Sequence, residues 1–123
     1  MTEREERRLE DIPYEELVER LGEPGLTILD VRSRAEFDGV RGAPCDPRQG
    51  HVPGAVNLDV QELTTLRADQ LHERLGPAEA TRIVADCHSG SRSALAVQIL
   101  RAAGYDARNY PGSWHEWSRL RAD

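Results

Sequence analysis

Cys87-His88-Ser89-Gly90-Ser91-Arg92-Ser93 brings together the residue types that suit a cysteine nucleophile at an anion-binding turn. The segment follows the apolar run Arg82-Ile83-Val84-Ala85-Asp86 and precedes the best helical stretch of the chain. It therefore joins the carboxyl end of a buried strand to a helix start, the place where open α/β sheets tend to bind ligands. Unpaired N–H groups at a helix start favour an anion and lower the pKa of a thiol held there. The thiolate is the reactive form of cysteine. Gly90 lets the backbone bend so that successive N–H groups of residues 88–92 face inward. Arg92 adds a permanent charge able to hold two oxygens of an anion. A cysteine ending a buried strand also serves simply as a small packed apolar residue. The glycine and arginine at loop spacing favour the reactive reading.

The elements that must position this turn are legible around it. Pro13 marks a helix start, and Leu17, Val18 and Leu21 form a stripe at helical spacing that Gly22 ends. Leu26-Thr27-Ile28-Leu29-Asp30-Val31 has the near-continuous apolar character of a strand covered on both faces. Residues 39–54 form a Gly/Pro-rich loop, and Ala55-Val56-Asn57-Leu58 is a second strand candidate. Leu63, Leu66, Leu71 and Leu75 suggest one or two helices before Gly76-Pro77. Arg82 to Asp86 is the third strand and Ser93 to Ala103 the main helix. Asp106 to Tyr110 and Ser113 to Leu120 suggest a last strand and a last helix. Strands alternating with helices predict an α/β domain with a mainly parallel sheet. Residues 1–9 read as a flexible N-terminal arm and residues 10–123 as a single domain.

Composition narrows the partners. The 123 residues suit one domain able to bury a core without disulfides or metals. A net charge of −6 argues against nucleic acid, which needs a clustered basic face. No apolar stretch is long enough to span a bilayer, and the mixed-charge run Met1 to Arg8 is unlike a signal peptide, so no membrane partner is expected. Cys45 and Cys87 are too few for a disulfide scaffold, so the expected location is the cytoplasm, with both thiols reduced.

Four segments, at residues 30–37, 50–57, 87–93 and 104–114, stand in the order of the motifs of the rhodanese-like sulfurtransferase family and resemble them over about residues 10–120. Asp30-Val31-Arg32 with Glu36-Phe37 is similar to its first motif. Gly50-His51-Val52-Pro53-Gly54-Ala55 with Asn57 resembles the second, Cys-x-x-Gly-x-Arg-Ser the active-site loop of single-domain members, and Gly104-Tyr105 with Tyr110-Pro111-Gly112-Ser113-Trp114 the C-terminal one. The resemblance implies a rhodanese fold, a five-stranded, mainly parallel sheet with helices on both faces. It also implies a sulfurtransferase that takes a sulfane sulfur from thiosulfate, 3-mercaptopyruvate or a protein persulfide. Cys87 would carry the sulfur as a persulfide and yield it to cyanide, a thiol or a sulfur-accepting protein. The turn of His88, Ser89, Gly90, Ser91 and Arg92 would cradle it, with no metal and no organic cofactor.

Two rivals share the fold: a cysteine-dependent phosphatase or arsenate reductase, and a non-catalytic binding module. The phosphatase type uses Cys-x5-Arg, wide enough for a tetrahedral phosphate. Cys87 to Arg92 is Cys-x4-Arg, with Asp86 rather than His before the cysteine. An intact loop counts against the binding module.

Other residues carry smaller expectations. Asp30 and Arg32 would lie near the loop and either orient it or form an ion pair bracing the strand end, the latter favoured. The two-domain relatives of the resemblance carry an Arg where Glu36 stands, and the thiosulfate type a Lys where Ser89 stands. The insert Asp38 to Gln49 offers Arg41 and Arg48 as replacement cations, against a plain solvated loop. His88 either assists proton transfer or, as favoured, points to solvent. His51 is expected to be structural, bonded to backbone, and Cys45 to be a chance loop cysteine rather than a resolving thiol. A zinc set of Cys45, His51, Cys87 and His88 is disfavoured by the adjacency of 87 and 88. Trp114 and Trp117 are expected to pack in the core, with Trp114 able to line a pocket mouth.

Overall fold

The computed structural model describes residues 11–121, so the arm expected over residues 1–9 lies outside the described residues. The elements run α1 (Tyr14–Arg20), β1 (Leu26–Asp30), α2 (Arg34–Phe37), β2 (Val56–Asn57), α3 (Val60–Leu63) and α4 (Ala68–Leu75). A 3-10 turn (Ala78–Ala80) leads to β3 (Arg82–Asp86), α5 (Ser91–Ala102), β4 (Asp106–Asn109) and α6 (Ser113–Leu120).

The four segments with strand character become the four strands of one sheet in the order β2-β1-β3-β4, and every ladder is parallel. The fifth strand implied by the resemblance has no counterpart among the described residues. Beyond β4 the Ile12 N–H donates to the Asn109 carbonyl at 2.9 Å. Among the described residues the pairing goes no further, because Pro13 has no N–H and caps α1.

Alternation along the strands builds two cores. Leu29, Val31, Ile83, Ala85, Cys87 and Ala107 pack with Leu63, Leu71, Ala96, Val97 and Leu100 of α3, α4 and α5. Ile28 and Val84 face the other way, onto Leu17 of α1, Phe37 of α2 and Trp114 and Trp117 of α6. Helices thus cover both faces of the sheet, and both tryptophans are fully buried.

Helix α2 and the start of α5 depart from what periodicity shows. Four residues are too few to show a repeat, so the signal for α2 is its capping box: the Glu36 N–H donates to Ser33 Oγ at 3.2 Å and the Ser33 N–H to Glu36 Oε1 at 3.2 Å. Helix α5 begins two residues earlier than Ser93, because Gly90 turns the chain at φ +100° and releases Ser91 directly into the helix. A Cβ on Gly90 would lie 2.8 Å from the Pro111 carbonyl oxygen, so both conformation and space require glycine there.

Candidate active site

Cys87 leaves the carboxyl end of β3, which lies between β1 and β4, and its side chain is buried. The Gly90 N–H donates to Cys87 Sγ at 3.1 Å and the Ser93 hydroxyl lies 3.3 Å from it. Burial pushes the thiol pKa up. The Ser93 hydroxyl and the N–H groups of Ser93, Gly90 and Ser89 outweigh burial and bring it below the ordinary thiol value. The inward ring of donors expected around the sulfur is thus drawn from residues 89, 90 and 93. Ser89 and Ser91 are exposed and Gly90 is buried.

The first turn of α6 supports this loop from behind. Trp114 N–H donates to the Cys87 carbonyl and His115 N–H to the His88 carbonyl, each at 3.0 Å. Ser113 accepts the Cys87 N–H at 3.0 Å, donates to the Tyr110 carbonyl at 2.9 Å and sits 3.9 Å from Sγ. It holds φ +53°, a left-handed backbone that a non-glycine residue adopts only when its surroundings fix it. Asn109 Nδ2 donates to the Gly90 carbonyl at 3.2 Å. Neither Ser113 nor Asn109 stands out from spacing alone; their signal is membership of the strand and motif that follow α5.

Arg92 does not offer its fork to an outside anion. Nη1 and Nη2 donate to Glu36 Oε1 and Oε2 at 2.9 and 3.2 Å. This pairing holds the Glu36 carboxyl at about 2, against burial that would raise it. The Glu36 carboxylate is therefore neutralised by the loop's own arginine.

Asp30 and Arg32 form a buried ion pair. Arg32 Nε donates to Oδ1 at 3.0 Å and Nη2 to Oδ2 at 2.7 Å, while the Arg32 N–H also reaches Oδ1 at 2.9 Å. Nη2 continues to the Gly50 carbonyl at 2.6 Å, tying the strand end to the second motif. The neighbouring Asp86, which spacing did not mark, is fully buried, and neither of its carboxylate oxygens has a hydrogen-bond partner. Burial, then the charge of Asp30, hold its pKa well above the carboxylate range. Protonation of Asp86, which this shift favours, spares a Cys87 thiolate a second negative charge one residue away.

The Arg48 end of the insert packs against α6. Arg48 Nη2 donates to the Arg121 carbonyl, the guanidinium lies over the Trp114 ring at 5.0 Å, and Trp114 Nε1 donates to the Arg48 carbonyl at 3.0 Å. Arg41 is exposed. His51 Nδ1 contacts the Phe37 carbonyl at 2.7 Å and its ring stacks on Phe37 with centroids 3.7 Å apart. That removes it from the zinc set considered above. His88, favoured to point to solvent, instead turns inward. Its Nε2 lies 3.0 Å from Asp46 Oδ2 and its ring packs edge-on against His115, because the Asp46 carboxylate is buried beside the turn and attracts an imidazole.

A doubly covered parallel sheet with a cysteine at a strand end, its sulfur facing the N–H of the next turn, defines an α/β domain whose candidate site is a buried thiol at a helix start. The rhodanese-like domain family matches residues 13–120, and the chain belongs to that family. It is 37% identical over 112 residues to a thiosulfate sulfurtransferase of Corynebacterium glutamicum, covering 78% of this chain and 36% of that protein. It is 38% identical over 109 residues to a probable 3-mercaptopyruvate sulfurtransferase of Pseudomonas aeruginosa, covering 80% and 38%. The chain thus spans little more than a third of the length of these two relatives. Its structure is also similar to that of the human single-domain sulfurtransferase TSTD1, 28% identical with a TM-score of 0.70, over 91% of this chain and 97% of that one.

Proposed function

We propose that the chain is a sulfurtransferase in which Cys87 carries a sulfane sulfur as a persulfide. The observation that carries the reading is the Cys87 sulfur itself, buried at the strand end with the Gly90 N–H at 3.1 Å and the Ser93 hydroxyl at 3.3 Å. Thiosulfate is the default donor; 3-mercaptopyruvate and a protein persulfide are alternatives. The Cys87 thiolate attacks the outer sulfur of thiosulfate, a new S–S bond forms, and the donor's S–S bond breaks with its electron pair leaving on sulfite. The terminal sulfur then passes to cyanide, giving thiocyanate, or to a thiol or protein thiolate, and Cys87 is regenerated as thiolate. The same N–H groups that stabilise the thiolate stabilise the anionic persulfide and the leaving charge in each transition state. No metal or organic cofactor enters either step.

Arg92 acts through Glu36, bracing the turn rather than gripping the donor, while Asp30 and Arg32 fix the neighbouring strand end. Arg41 and Arg48, on the insert, are proposed to draw an anionic donor towards the loop. Two free cysteines among the described residues suit a reducing compartment, and the cytoplasm is the proposed location.

The test is intact mass after incubation with thiosulfate. Wild type is expected to gain one sulfur atom that cyanide removes, and Cys87→Ser none. Absence of the adduct on wild type with every sulfane donor overturns the enzyme reading in favour of a binding module. Cys87-dependent hydrolysis of an aryl phosphate instead favours the phosphatase chemistry.

A further inference from the structure

Cys45, Asp46, His88 and His115 converge beside the active-site turn, and one ligand atom from each lies within 4.8 Å of the others. From these four residues we infer a transition-metal site of the zinc class, held by a thiolate, a carboxylate and two imidazoles. It shares no ligand with the sulfur-carrying thiol, and it stands whether or not the chain transfers sulfur.

Burial and orientation support a shared ligand. The Asp46 side chain is fully buried. Its Oδ2 and His88 Nε2 face each other at 3.0 Å, yet they are not aligned for a hydrogen bond, and both atoms are buried without a hydrogen-bond partner. His115 Nδ1 approaches the same carboxylate at 3.6 Å, and Cys45 Sγ lies 3.9 Å from Oδ1. Two buried polar atoms turned towards one another, with a thiol and a second imidazole alongside, form a donor set that lacks a common partner.

Adjacency of Cys45 and Asp46 is no obstacle, because the chain turns there. The Asp46 N–H donates to the Ala43 carbonyl at 3.1 Å, and the ligand atoms of both residues lie within the same 4.8 Å group. Zinc binds sulfur and nitrogen at about 2.0–2.3 Å, which puts tetrahedral ligand atoms about 3.3–3.8 Å apart. Closing the set takes about 1 Å of movement, available to the exposed Cys45 and His115 while Asp46 stays fixed. Arg119 Nη1 holds Asp46 Oδ1 at 2.9 Å and Nη2 holds the Cys45 carbonyl at 2.9 Å, orienting the carboxylate from outside the site. A divalent ion with one thiolate, one carboxylate and two neutral imidazoles is formally uncharged, so the nearby Arg119 does not repel it. On binding, the Cys45 thiol gives its proton to solvent and nothing is oxidised or reduced. The ligand types select zinc-like ions over magnesium or calcium, which prefer oxygen.

Cobalt(II) titrated into the reduced 123-residue chain is the test. The expected result is saturation at one equivalent, with tetrahedral absorption bands and a thiolate charge-transfer band, all bleached by zinc. Cys45→Ser is expected to abolish the charge-transfer band, and His115→Gln to weaken binding about tenfold or more. Cys87→Ser is expected to leave the spectrum intact. Unchanged thermal unfolding of the metal-free Cys45→Ser and His115→Gln chains separates loss of the site from loss of the fold. No saturable binding, binding that survives both substitutions, or binding lost with Cys87→Ser would overturn the site.

Discussion

Arg92 and Glu36 meet as a two-point ion pair, Nη1 to Oε1 at 2.9 Å and Nη2 to Oε2 at 3.2 Å, across 56 residues of sequence. The arginine of the turn after Cys87 is thus spent on a carboxylate of the chain, and it fastens α2 to the start of α5. Lysine cannot make two parallel bonds. Arg92→Lys is therefore expected to loosen the turn and lower stability by about 1 kcal/mol, the pair being partly exposed. Denaturant unfolding checks the loss.

The same pair sets an acid limit. Glu36 titrates at about 2 in the fold instead of its ordinary 4.5, so below 4.5 the unfolded chain binds the proton first. The pair's contribution is complete above pH 4.5 and is lost as pH falls towards 2. Glu36→Gln is expected to be less stable than wild type at neutral pH, with the gap closing across that window. Unfolding midpoints measured at several pH values settle it, and a gap independent of pH would contradict the assignment.

Ser93 is expected to act on the thiol directly. Removing a hydroxyl 3.3 Å from Cys87 Sγ takes away a stabiliser of the thiolate. Ser93→Ala should slow alkylation of Cys87 by iodoacetamide about fivefold at neutral pH, a hydrogen bond being worth about 1 kcal/mol. An unchanged rate would assign Ser93 a packing role only.

Gly90→Ala meets two penalties, a φ of +100° and a Cβ 2.8 Å from the Pro111 oxygen. A loss of about 1–3 kcal/mol is expected, together with slower alkylation of Cys87, because the strained turn must shift the Gly90 N–H off the sulfur. Full reactivity in a destabilised protein would show that the N–H does not set the thiol's behaviour.

Trp117 tests the second core. It is fully buried with Trp114 and Tyr110 on the face of the sheet away from α5. Trp117→Ala should cost about 3–5 kcal/mol in denaturant unfolding. A loss below about 1 kcal/mol would show that α6 is not held by this cluster.

Much of the fold follows from short-range patterns. The apolar runs of β1 and β3, the stripe of α1 and the span of α6 need only neighbouring residues to be recognised. The turn at Cys87 is equally local, since a strand end, a glycine and a helix start within six residues define it. The four-residue α2 is too short for periodicity, and the fifth strand implied by resemblance is not found among the described residues, where Pro13 turns the chain away.

The sequence by itself determined that a thiol would stand between a strand end and a helix start and what kind of sheet would carry it, because periodicity and turn chemistry act within a few residues. Only the tertiary structure decided which distant groups meet there. Ser113 lies beneath Cys87 across 26 residues, Arg92 reaches Glu36 across 56, and His88 turns to Asp46 rather than to water. Such pairings follow from packing α2, α6 and the insert around one end of the sheet. That arrangement depends on how the two cores close, which no local pattern encodes.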